Sequence, residues 1–295
     1  MIRRYIKRSV AGLVALLFAV TVATAGVSSQ VSAQTKYVAL GDSFASGLGA
    51  DTNQYQGEHF SQYDPATVIP GQNECYRAFN NAYAPKLAVA KGYALTFAAC
   101  QGATTAEILT TSQFPEQPRQ IDSVTANTNL VTLQIGGNDA KYKDIVTCVL
   151  TTECTANSPQ YVEAVGILQN QLPARLDAVY AAIHERAPQA KVLAVDYAPI
   201  LPKNYIDATL CQPYMTPAEL QLSAGFLTML NQTVKAAATR AGATYVQTDY
   251  AGSPFLARDW VGLSKNACSP SAGSVAWSLR FLNSSTRRSS IIIFN

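Results

Sequence analysis

Tyr37-Val38-Ala39-Leu40-Gly41-Asp42-Ser43-Phe44-Ala45-Ser46-Gly47 runs a short apolar stretch straight into a Gly-Asp-Ser turn. A brief apolar run bounded by turn residues reads as a buried strand. The glycine behind it allows a tight turn that presents the Ser43 hydroxyl at the edge of a sheet. Taken alone, Gly-Asp-Ser is also an ordinary turn, so its meaning depends on what the rest of the chain places beside it.

Downstream, strand-like runs alternate with helical stretches. Asn81 to Lys91 has helical spacing and leads to a strand at Ala94 to Ala99. Leu130 to Ile135 is a further strand, ended by Gly136-Gly137. Val162 to Arg186 carries Val162, Val165, Ile167, Leu168, Leu172, Leu176, Val179 and Ile183 at mostly three- and four-residue steps, a helical face interrupted near Pro173. Lys191 to Tyr197 follows as a strand. Thr216-Pro217-Ala218-Glu219 opens a helix to about Ala241, with a cap residue, a first-turn proline and an acid three residues after the cap. Thr244 to Thr248 closes the series as a strand.

Such alternation predicts a parallel sheet covered by helices on both faces. In sheets of this kind ligands bind at the carboxyl ends of the strands. The segments to weigh are therefore Gly41-Asp42-Ser43, Gln101-Gly102-Ala103-Thr104, Gly136-Gly137-Asn138-Asp139 and the stretch after Thr248. Two polar connections, Gly49 to Asn80 and Lys203 to Met215, read as surface loops. No repeat or low-complexity linker divides residues 34–295, so one domain is expected there.

The chain has 295 residues, 48% of them hydrophobic, which excludes a disordered protein. Its 22 Lys and Arg against 19 Asp and Glu give +3, but the basic residues are concentrated at the ends. Arg3, Arg4, Lys7 and Arg8 precede an uncharged run from Ser9 to Ser29, with an apolar centre from Ala11 to Val22 and the small-residue site Val31-Ser32-Ala33. That order reads as a secretory signal peptide over residues 1–33, and the apolar centre is short for a membrane span. Cleavage after Ala33 leaves 18 basic against 19 acidic residues, a charge of −1. No basic patch with interleaved aromatics occurs in the body, which argues against a nucleic-acid partner. The mature protein is expected to be secreted, monomeric and without a membrane span.

Six cysteines, Cys75, Cys100, Cys148, Cys154, Cys211 and Cys268, read as three disulfides in an exported chain. Spacing alone does not choose among the fifteen possible pairings. A metal site is disfavoured, since there is no Cys-x-x-Cys pair and only two histidines.

Together the three strand-ending segments describe a serine nucleophile with three oxyanion donors: the N–H groups of Ser43 and Gly102 and the side-chain amide of Asn138. Preorganised donors of this kind stabilise charge developing on an ester carbonyl oxygen, each by about 3–4 kcal/mol. The chemistry requires no metal or organic cofactor.

The stretch from Tyr37 to Gly47 resembles the first block of the GDSL, or SGNH, hydrolases, especially the secreted actinobacterial esterases and lipases. Cys100-Gln101-Gly102-Ala103-Thr104-Thr105 resembles their second block and Ile135-Gly136-Gly137-Asn138-Asp139 their third. The resemblance implies a flavodoxin-like three-layer α/β/α sandwich, Ser43 as nucleophile, and Ser43, Gly102 and Asn138 as the oxyanion hole. It also implies sequential disulfides, Cys75 with Cys100, Cys148 with Cys154 and Cys211 with Cys268. The substrate would be a lipid or other small acyl ester.

The match fails where the base should be. The family uses a late histidine, and no histidine follows His184 here. Trp277-Ser278-Leu279-Arg280 has the spacing of a tryptophan whose carbonyl orients that histidine, with Arg280 in the expected base position. Phe255-Leu256-Ala257-Arg258 sits where the subgroup commonly has Phe-x-Gly-His. Arginine stays protonated near neutral pH and is no base. His184 reads as a solvated helix residue and His59 as a surface or substrate-contact residue. Asp139 and Asp249 follow strands at the site's edge, and neither replaces a histidine. Residues 260–295 are atypical, with Lys265, Arg280, Arg287 and Arg288 as their only charges. The expectation is a secreted ester hydrolase whose activity is impaired by the missing histidine. The alternative is a noncatalytic exported protein that binds an acyl chain or glycan in the same cleft.

Overall fold

The computed structural model describes residues 33–48, 75–79, 82–199, 201 and 215–248. The expected signal peptide lies outside them but for its last residue, Ala33, and His59, Asp249, Arg258, Trp277, Arg280, the pair Cys211 and Cys268, and the segment 260–295 lie outside them entirely. So do most of the two long connections.

Five strands, β1 (Lys36–Gly41), β2 (Ala94–Phe97), β3 (Leu130–Gln134), β4 (Lys191–Val195) and β5 (Thr244–Val246), form one sheet in the order β2-β1-β3-β4-β5. Every pairing is parallel. This is the flavodoxin-like order, whose direction reverses beside β1 and opens a crevice between β1 and β3. The alternation in the sequence therefore produced the expected α/β architecture.

Residues of β1 alternate between two packed layers. Val38 and Leu40 enter a large core with Val131 and Leu133 of β3. Helices α4 (Tyr142–Thr151), α5 (Pro159–Asn170), α6 (Leu172–Arg186) and α7 (Pro217–Arg240) contribute Ile145, Leu168, Leu176 and Phe226 to it. Tyr37 and Ala39 enter a smaller core with Ala84 and Ala88 of α2 (Tyr83–Lys91). Buried on both sides, β1 has no polar face, which explains its continuous apolar reading.

Four of the expected strands end one or two residues early; beyond β4 and β5 side chains take backbone N–H groups, and beyond β2 a backbone carbonyl does. The N–H of Tyr197 goes to Asn231 Oδ1 at 2.9 Å and that of Thr248 to Asp196 Oδ1 at 2.6 Å. Past β2, the N–H groups of Ala98 and Ala99 both turn to Ala39 O. The helical face from Val162 to Arg186 is two helices, broken at Gln171 rather than at Pro173. Proline lacks only an N–H that the first turn leaves unused, so Pro173 sits within the start of α6. At Thr216 the expected capping box is present, with Glu219 accepting from the Thr216 N–H at 2.7 Å.

Candidate active site

The turn after β1 is built on Gly41, whose φ of +143° belongs to glycine. A Cβ there would lie 2.3 Å from the Gln134 carbonyl oxygen. The side chain of Gln120, buried in a short 3-10 turn (Gln120–Ser123), clasps this residue from both sides. Its Oε1 accepts from Gly41 N–H at 2.8 Å and its Nε2 donates to Gly41 O at 2.9 Å. Asp42 donates its N–H to Gln134 O at 3.1 Å. Its Oδ1 accepts from Phe44 N–H at 2.9 Å, capping the one-turn helix α1 (Ser43–Ser46). Ser43 is thereby the first residue of a helix, buried at the carboxyl edge of the sheet. Its backbone N–H bonds to no described residue.

Beyond β2, Cys100 donates its N–H to Gly41 O at 2.9 Å, drawing the second segment against the first. The disulfide Cys75–Cys100 and the bonds of Arg77 to Ala98 O and Ala99 O fasten this corner. Gly102 follows with φ +74°, and its N–H bonds to no described residue. Helix α3 (Thr105–Leu109) begins there, capped reciprocally by Thr104 and Glu107. The second disulfide, Cys148–Cys154, closes the end of α4. Both bridges join the pairs that the resemblance implied.

After β3, Asn138 donates from Nδ2 to Ala103 O at 2.8 Å, which brings its amide beside Gly102 and leaves the second amide hydrogen without an acceptor among the described residues. The structure thus gathers Ser43, Gly102 and Asn138 at the ends of three neighbouring strands, β1, β2 and β3. Two backbone donors and a carboxamide around a hydroxyl can hold a developing oxyanion.

Asp139 takes a different part from the edge position expected of it. Its Oδ2 accepts from Thr105 N–H at 2.9 Å and its Oδ1 from Thr105 Oγ1 at 2.6 Å. It braces the third segment against the second, with the Arg175 guanidinium 3.4 Å away. His184 is exposed in the last turn of α6. That helix hands the chain to the amino end of β4, so His184 lies at the sheet edge opposite Ser43. Among the described residues, no cluster of His, Cys, Asp and Glu could hold a metal ion, and no helix is long and apolar enough to cross a membrane.

Three side chains that hold the site carried no local signal in the sequence. Gln120 and Gln134 act through amides on backbone atoms, Gln134 Nε2 donating to Asp196 O at 2.5 Å. Tyr197 ends the β4 segment as one more buried aromatic, yet its hydroxyl donates to Asp42 Oδ2 and accepts from Gly137 N–H at 2.9 Å. Burial pushes the Asp42 carboxyl up to about 7, against the hydrogen bonds from Tyr197 and Phe44 that favour its charged form. The Tyr197 phenol is held well above its ordinary value by burial and the adjacent Asp42 carboxylate.

The profile of the GDSL-like Lipase/Acylhydrolase family matches residues 39–266. A lipase of Streptomyces rimosus is 36% identical over 197 residues, and Lipase 1 of Streptomyces coelicolor (strain ATCC BAA-471 / A3(2) / M145) is 32% identical over 194. Each alignment covers 65% of this chain, and 65% and 62% of those lipases respectively. Lipase 2 of the same strain is 30% identical over 266 residues, covering 85% of this chain and 82% of that protein. Among solved structures, the extracellular lipase of S. rimosus superposes with a TM-score of 0.60 at 28% identity, covering 79% of this chain and 86% of that one. Phospholipase A1 from Streptomyces albidoflavus NA297 superposes at 0.55 with 29% identity, covering 74% and 80%.

Proposed function

We propose that this chain, which belongs to the GDSL-like lipase/acylhydrolase family, hydrolyses lipid or other acyl esters through an acyl-Ser43 intermediate after export from the cell. The observation that carries this reading is the turn Gly41-Asp42-Ser43 beside the Asn138 amide and the N–H groups of Ser43 and Gly102, which bond to no described residue. Ser43 Oγ attacks the ester carbonyl carbon, and the oxygen that gains charge is held by these three donors. The Ser43 proton passes to solvent water, collapse expels the alkoxide, which takes a proton from water to leave as alcohol, and a water then releases the acid from acyl-Ser43. The relatives named lipase and phospholipase A1 support an acyl ester of a lipid as substrate. The disulfides and the described extracellular lipase support export.

The proton of Ser43 is the weak point. With no histidine after His184, and arginine at both aligned positions, Arg258 and Arg280, attack proceeds without the usual base. Oxyanion donors and binding alone retain roughly 10³- to 10⁴-fold acceleration in a serine hydrolase stripped of a triad member. Turnover is accordingly slow. The same missing histidine favours the second reading, a noncatalytic acyl- or glycan-binding protein.

Hydrolysis of a short-chain p-nitrophenyl ester by the mature protein, beside Ser43→Ala, separates the two. A rate above that of the variant is expected, and equality overturns the hydrolase. Arg280→His raises the rate if Arg280 occupies the base position; no gain removes that alignment.

A further inference from the structure

We propose that Tyr197 is a positioning residue for the hydrolysis proposed above, on which this inference rests: its hydroxyl ties the turn carrying Ser43 to the loop carrying Asn138. Nucleophile and oxyanion donor then move as one unit.

The hydroxyl of Tyr197 makes both connections. It donates to Asp42 Oδ2, one residue before Ser43, and accepts from the N–H of Gly137, one residue before Asn138, at 2.9 Å. The ring stands edge-on to Phe44 with centroids 5.0 Å apart. A Cβ on Gly137 would lie 3.1 Å from the ring carbons, so this glycine is what lets the loop reach the phenol. The tyrosine is itself fixed from behind by Asn231 of α7. Asn231 Oδ1 accepts from Tyr197 N–H and Asn231 Nδ2 donates to Tyr197 O, both at 2.9 Å.

Counting donors and acceptors shows what the link requires. With Asp42 ionised, its carboxylate accepts from the N–H groups of Phe44 and Ala45 and from Tyr197 O–H, while the phenol oxygen accepts from Gly137 N–H. Every group is matched. With Asp42 protonated on Oδ2, the carboxyl O–H and the Gly137 N–H converge on one phenol oxygen, and the phenol hydrogen loses its acceptor. The other charged group acting on Asp42 is Asp139 on the loop after β3, which opposes its ionisation. Asp139 is paired with Arg175 of α6.

Tyr197→Phe keeps the ring against Phe44 and removes only the hydroxyl. In the full-length mature protein, kcat for a p-nitrophenyl ester is expected to fall about 10- to 100-fold, the scale of a misplacement near 1 Å. KM stays within about twofold, and the urea midpoint falls moderately, because the Gly137 N–H and the Asp42 carboxylate each lose a buried partner. An unchanged kcat, or a loss carried by KM alone, overturns the proposal. A measurement independent of turnover follows the backbone amides of Phe44 and Gly137 by NMR across pH 5 to 9. In the wild type both amides follow one inflection as Asp42 titrates. In Tyr197→Phe the Gly137 inflection disappears, while that of Phe44 persists and moves to higher pH because the carboxylate has lost a donor. A Gly137 inflection unchanged in the variant overturns the link. If wild-type turnover merely equals Ser43→Ala, the hydrolase reading fails, and the amide titration then decides the coupling by itself.

Discussion

The turns after β1 and β3 face each other across the same crevice, and each carries a buried aspartate, yet they are held in opposite ways. Asp139 is braced by near neighbours on the adjoining loop, Thr105 N–H and Oγ1, with the Arg175 guanidinium beside it. Asp42 makes no ion pair among the described residues and relies on the backbone N–H groups of Phe44 and Ala45 and one distant phenol. Around it, Gly41 is gripped by amides of Gln120 and backed closely by Gln134. A turn that must present a reactive side chain at a set angle is over-constrained from remote parts of the chain. The turn opposite, which supplies an amide donor, is tied mainly to the loop after β2 and to a half-exposed arginine, and shares the Tyr197 phenol with the first.

The sharpest way to break this comparison is at the two glycines. Gly41→Ala would drive a Cβ to 2.3 Å from a backbone oxygen that cannot move without shifting β3. A loss of more than about 4 kcal/mol, read by urea unfolding, is expected. Gly136→Ala meets the tip of Leu172 at 3.2 Å, a side chain that can shift, though its φ of +115° still strains any alanine. Its loss should be smaller, about 1–3 kcal/mol. Equal losses would contradict the asymmetry between the turns.

Next in size is a dependence on pH that belongs to one aspartate. Burial raises the folded-state pKa of Asp42 from its ordinary 3.8 to about 7, so the native state binds its proton more tightly than the unfolded chain does. Its contribution is fully present below pH 4 and is lost as pH rises through 7, on the order of 4 kcal/mol in all. Asp42→Asn should therefore gain stability relative to wild type between pH 4 and 7 and show a constant difference above it. Unfolding at pH 4.5 and pH 8 checks this, and a difference that does not vary with pH would refute it.

Removing the clasp is a smaller change. Gln120→Leu leaves the buried Gly41 N–H without a partner, while Gly41 O retains Cys100 N–H, for a cost of about 1–3 kcal/mol. Smallest is Arg175→Gln. The Arg175 side chain is 44% exposed, so its pairing with Asp139 is screened, and less than about 1 kcal/mol should be lost. A large effect there would mean that the turn after β3 leans on its cation after all.

What could be read in the sequence follows the range of the interaction. The strands announced themselves through unbroken burial, as in Tyr37 to Leu40, and α7 through the local capping pattern at Thr216. Ser43, Gly102 and Asn138 stood out because each directly follows a strand. Tyr197 did not, because its partner Asp42 is 155 residues away, and no local pattern marks a phenol for a carboxylate. Gln120 grips Gly41 across 79 residues. The start of α4 was equally silent, since Lys141 enters it from a left-handed conformation unusual for lysine.

All five strands point the same way, which gives the body a working end and a blunt end. The turn Ala187 to Ala190 between α6 and β4 lies at the blunt end, with Pro188 and Gln189 exposed. For tethering the protein to a bead or an electrode, an attachment group at Gln189 would turn the crevice outward to the solution. No described cysteine is free to compete for a maleimide placed there through Gln189→Cys.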